Sequence, residues 1–194
     1  MFRFATTLLA LASIALLALP ASAQTGSRIS LQISGLGSIP FGGGLSEVEP
    51  GAGFEAQLRY SPGAFSIGGG FETSFHKISD SDREVRLSGA FIEPRYVIDT
   101  GSESVAPYLS ARLAVSQVRF SVARFQEDAN GFTANAGGGL LFILSSRVNL
   151  DLGVTFGVKD LGEATVPSNP PTEFDLGSGQ NVIIRVGLAF GLGG

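Results

Sequence analysis

The chain has 194 residues, a formal net charge of −4 and no cysteine. That length suits one domain, and the missing cysteines exclude disulfides, cysteine-ligated zinc and a lipid-bearing lipoprotein cysteine. An acidic balance without a basic patch gives nucleic acid no surface to bind.

Residues 1–23 read as a cleaved signal peptide. Arg3 precedes an apolar run from Ala5 to Leu19, Pro20 breaks it, and Ala21-Ser22-Ala23 forms an A-x-A site before Gln24. A single domain is expected over 24–194. Past residue 23 the longest apolar run is Leu140 to Leu144, far short of a transmembrane helix. If this chain crosses a membrane, it must cross as a barrel, the other architecture that satisfies every backbone polar group in lipid.

Eight segments alternate apolar and polar residues, at about 28–35, 53–61, 64–75, 86–98, 105–117, 131–144, 147–158 and 181–192. Each is close to the ~9–11 residues a tilted strand needs to cross a bilayer. Long and short connections take turns. Residues 36–52, 76–84, 123–130 and 160–180 are long or polar, whereas 61–63, 99–104 and 145–147 are short. This rhythm predicts an all-β, eight-stranded antiparallel up-and-down transmembrane barrel with long extracellular loops and short periplasmic turns.

Parity sorts the side chains. One set is apolar and uncharged, for example Ile29, Leu31 and Ile33, or Val148, Leu150, Leu152, Val154 and Phe156. A charge at the bilayer midplane would cost up to ~2–4 kcal/mol, so this set is expected to face lipid. The opposite set carries Glu55, Glu72, Glu93 and Asp151 with Arg59, Arg95, Arg112 and Arg185. Balanced signs fit an enclosed interior, where a paired charge is tolerable and an unpaired one is not. Arginine suits such pairing because its planar fork can hold a carboxylate at two points. The polar set as read contains no lysine; Lys77 and Lys159 are the only two in the chain and fall outside the segments. Outward aromatics sort by height into two girdles: Phe54, Phe75, Phe132 and Phe156 at the loop ends, Tyr60, Phe65, Tyr96, Phe142 and Phe190 at the turn ends. Phe71 sits mid-strand, outside both.

The stretches GAFIEPRYVI (89–98), APYLSARLAV (106–115) and GFTANAGGGLLFILSSRVNLDLGVTFG (131–157) resemble the central strands of the small eight-stranded outer-membrane barrels of the OmpA/OmpX type. The resemblance spans 28–192. It implies a bacterial outer-membrane location, with structural, adhesive or small-pore roles and no shared catalytic residues. Outer-membrane lipids and the barrel-assembly machinery are the implied partners, with an extracellular ligand on the long loops as a further one.

His76 is the only histidine. A Ser–His acyl-hydrolase is conceivable, but a lone His reads as a solvated loop residue and no enzyme is expected. Loop acids such as Asp80, Asp82, Asp160 and Glu163 lack EF-hand spacing, so neither metal nor cofactor is expected. The favoured function is a structural or surface-interaction barrel with a charge-paired interior. The alternatives are a small-solute pore gated by the Arg–carboxylate pairs, and a soluble periplasmic lipid-binding barrel with the apolar set turned inward.

Overall fold

The computed structural model describes residues 27–79, 84–122, 125–166, 172–175 and 177–193, with side chains left undescribed at 120–129, 163–166 and 172–175. The expected signal segment 1–23 lies outside the described residues. Among the described residues are ten strands: β1 (Ile29–Phe41), β2 (Gly51–Tyr60), β3 (Phe65–Lys77), β4 (Glu84–Val97), β5 (Val105–Val122), β6 (Phe125–Ile143), β7 (Val148–Asp160), β8 (Glu163–Val166), β9 (Thr172–Asp175) and β10 (Ser178–Leu192). Eight of them close into a barrel in the order β1-β10-β7-β6-β5-β4-β3-β2. Neighbours are antiparallel, and β1 meets β10 from Ile29↔Leu192 to Phe41↔Gln180. Closure leaves no unpaired edge in the barrel. β8 and β9 form a separate hairpin inside the last long connection.

The turns at one end are held by local hydrogen bonds. Asp99 accepts from the Gly101 N–H at 2.8 Å, and Gly101 sits at φ 72°, a conformation glycine adopts without steric cost. Ser145 Oγ accepts from the Val148 N–H at 3.1 Å and closes the β6–β7 turn. At the other end the first connection folds back over the mouth through a 3-10 turn at Gly43–Leu45. Its backbone is tied to the end of β3, with the Glu49 N–H donating to Lys77 O and the Ser79 N–H to Glu47 O, both at 2.8 Å.

The strands run further than the alternation predicts. β1 continues to Phe41, and most of the polar stretch 123–130 belongs to β6. The 160–180 connection contains β8, β9 and the start of β10. A ladder needs backbone pairing, not apolar side chains, so it continues where alternation has faded. Two residues are re-placed by this. β7 reaches Asp160, which carries Lys159 onto the inner face, 4% exposed; the polar face therefore does contain a lysine. β3 reaches Lys77, so His76 is an interior residue, 2% exposed, and not a solvated loop histidine.

Burial is inverted relative to a water-soluble barrel. Ile33, Leu58, Leu109, Val154 and Val186 are exposed on the outer face, while Gln32, Glu55, Arg112 and Asp151 are buried within. Apolar side chains do enter the lumen: Phe91 lies beside the charged positions of β4 and β5, and two clusters lie nearer the ends. Ala64, Val97, Ala106, Tyr108 and Leu141 cluster at the short-turn end. Leu45, Val85, Leu87, Val118 and Leu161 cluster under the long connections, where Leu45 is only 1% exposed.

Candidate functional site

Between these two plugs lies one charged network, built from the inner-facing positions of β2, β3, β4, β5, β7 and β10. Glu93 is its hub and is 0% exposed. Its Oε1 accepts from Arg59 Nη2 at 2.7 Å and Arg95 Nη2 at 2.9 Å. Its Oε2 accepts from Arg112 Nη2 and Arg185 Nη1, each at 2.6 Å. Arg112 turns its other nitrogen, Nη1, to Glu55 and Glu72, both at 2.7 Å. Arg95 also donates to Asp151 Oδ2 at 2.8 Å. Arg185 Nη1 lies 3.5 Å from Glu55 Oε1. All eight charged residues singled out by parity thus meet in a single cluster. Short charge-assisted contacts of this kind are about twice as strong as neutral ones. They offset the several kcal/mol that each buried ion would otherwise cost.

Neutral side chains complete it. Tyr108 donates to Asp151 Oδ1 at 2.6 Å, and Gln32 Nε2 donates to Asp151 Oδ2 at 2.8 Å. The Arg95 guanidinium stacks 3.8 Å from the Tyr108 ring centroid, and that of Arg112 3.9 Å from Phe91. Inward glycines make the space. A Cβ on Gly153 would lie 2.5 Å from the Tyr108 hydroxyl and 3.1 Å from Arg185 Nη2. Gln32 belongs to the polar parity set. Tyr108 and Phe91 are aromatic and fall outside it, yet both have inward parity, which is the signal that finds them.

His76 pairs with Ser74, Nε2 to Oγ at 2.9 Å, while Nδ1 lies 2.9 Å from the Glu49 carbonyl. Both side chains are buried within the lumen mouth. The contact with Glu49 fastens β3 to the first connection. Among the described residues no group of three or more His, Asp or Glu side chains could hold a metal ion.

The girdle aromatics Phe54, Tyr60, Phe65, Phe75, Tyr96, Phe132, Phe156 and Phe190 stand exposed on the outer face, and Phe142 is half-buried. Phe71 is the most exposed of the described large apolar residues at 73%.

The same architecture recurs in solved structures. Neisserial surface protein A aligns with a TM-score of 0.64 at 15% identity, over 86% of this chain and 98% of that one. The outer membrane protein OprG from Pseudomonas aeruginosa aligns with a TM-score of 0.54 at 8% identity, over 87% and 97%. At these identities the likeness is one of fold. No curated protein matches the sequence. Residues 6–190 match the model of the outer membrane protein beta-barrel domain, and the chain belongs to that family.

Proposed function

We propose that this outer-membrane barrel is a shut, rigid pillar whose work is structural or surface-interactive, done by its loops and outer face, and not a conduit. The observation that carries the reading is a lumen crossed at mid-height by the charged cluster, with a small hollow of about 20 Å³ beside it, lined by Ser30, Gln32, Arg59, Ser66, Arg95 and Asn149. Four guanidiniums converge on Glu93 at mid-height, and an apolar cluster lies toward each end. An eight-stranded barrel is only wide enough for side chains to fill. A gate would need carboxylates that exchange arginine partners. Glu93 is held by four arginines at once, so breaking any one pair leaves the other three in place. The exposed apolar outer surface supports lipid contact and speaks against a soluble carrier with its apolar face turned inward.

Liposome flux tests the reading. Vesicles holding the folded protein should release a trapped small solute no faster than empty vesicles, and planar bilayers should show no stable conductance. A steady open-channel current that changes in Arg112→Ala would instead establish the pore.

A further inference from the structure

On the outer face, β3 to β6 form a trough whose shape comes from a single cross-strand row. Phe71 pairs with Ala90, Ala90 with Val115, and Val115 with Phe132. Two rings thus bracket a floor of small side chains, and the trough they enclose has a volume of about 760 Å³. A second hollow of about 280 Å³ continues it past Ala90, Val115 and Phe132 toward Ile92 and Leu113. This gives the mid-strand Phe71 a place as one wall.

The upper end of the trough is polar. The next outward row is Ser88↔Gln117 and the one beyond is Arg86↔Arg119. Those four side chains line a notch of about 130 Å³, and Ser88 and Gln117 also line the trough, so the two spaces join. At ~3.3 Å per residue the arginine row stands roughly 13 Å along the strands from the apolar floor. Like charges directly opposite on one face are destabilising, and on its other side Arg119 is in register with Asp128 of β6, so the row carries two arginines and one acid. Arg86 is nevertheless held in place there: its Nε donates to Thr73 Oγ1 at 3.2 Å and Ser88 Oγ at 3.1 Å, and its guanidinium lies over the Phe75 ring at 5.7 Å. A guanidinium carries five N–H donors, and the remaining four sit on its two Nη nitrogens. Across the trough Asp160 contributes a carboxylate, which caps the Gly162 N–H at 2.8 Å on the far rim.

We propose that this surface is a binding site for a phosphorylated, acylated lipid of the outer leaflet. Its phosphate lies in the Arg86–Arg119 notch, and an acyl chain lies between Phe71 and Phe132. Arginine forks favour phosphate through bidentate hydrogen bonds, and an apolar trough below them takes a chain that a free anion lacks. A second copy of the same face would set arginines against arginines. The inference is independent of whether the lumen conducts.

The test is native mass spectrometry of the full folded chain in detergent with purified bis-phosphorylated lipid A. The wild type should retain one lipid. Arg86→Gln/Arg119→Gln should weaken retention about tenfold or more, the loss expected of charge-assisted contacts. Ala90→Phe, which fills the floor, and dephosphorylated lipid A should each weaken it as well. Arg28→Gln/Arg147→Gln, at the opposite rim, should leave it unchanged. Each variant is first shown to be folded by its heat-modifiable gel mobility. Equal retention by the Arg86/Arg119 variant, equal retention of dephosphorylated lipid A, the same loss in the Arg28/Arg147 variant, or a lipid-free dimer burying this face would overturn the proposal.

Discussion

Glu93→Gln should lower the unfolding free energy of the barrel by about 3–5 kcal/mol, the cost of breaking a buried ion cluster by removing one partner. The size follows from position. Glu93 is fully buried and is the shared acceptor of Arg59, Arg95, Arg112 and Arg185. The amide keeps the volume but removes the charge, so four arginines are left facing three acids. Glu72→Gln should cost less, because among the described ion pairs Glu72 meets one arginine, Arg112, where Glu93 meets four, and its side chain keeps 11% exposure. Adding Arg185→Met to Glu93→Gln should recover part of the loss, since charge balance returns and apolar volume replaces a buried ion. Urea midpoints of the refolded protein in lipid vesicles check all three. Additive losses in the double variant would mean that the network is not coupled.

Val186→Arg should destabilise by about 2–4 kcal/mol in a bilayer, the cost of a basic residue at the midplane of a barrel's outer face. Val186 lies near the middle of β10, pairs with Leu152 and Gly35, and is exposed on the outer surface. Leu192→Arg, at the rim, should cost only about 0–1 kcal/mol because a long side chain there reaches the interface. The contrast between the two matters more than either value. Water outside the barrel would make both substitutions harmless.

Strand alternation carried most of the fold, because in a barrel with lipid on one side and packed charges on the other the two faces differ at every residue. SSRVNLDLGVTFG shows it plainly: Asp151 is buried and Val154 and Phe156 are exposed. The same rule failed at the strand ends. Beyond the apolar band both faces meet water or loop, the contrast disappears, and Lys159 and His76 look like loop residues although backbone pairing continues through them. The lumen plugs were hidden for a related reason. Val85, Leu87, Val118 and Leu141 are apolar at inward parity, so they break the polar-inside pattern, and Leu45 reaches the lumen only through a loop fold that no periodicity encodes. The charged residues themselves were legible by parity; which carboxylate is the hub was not. Glu93 becomes the hub because β4 lies opposite β10 in the closed cylinder, which brings Arg185 to it, a relation that appears only once β1 pairs with β10.

The most direct measurement uses the absence of native cysteine. A fluorophore placed at Val186→Cys in vesicle-embedded protein should be quenched by lipids brominated mid-chain and spared by aqueous iodide. Quenching by iodide, with the brominated lipids silent, would mean that water and not hydrocarbon wets the apolar face, and the account would be wrong.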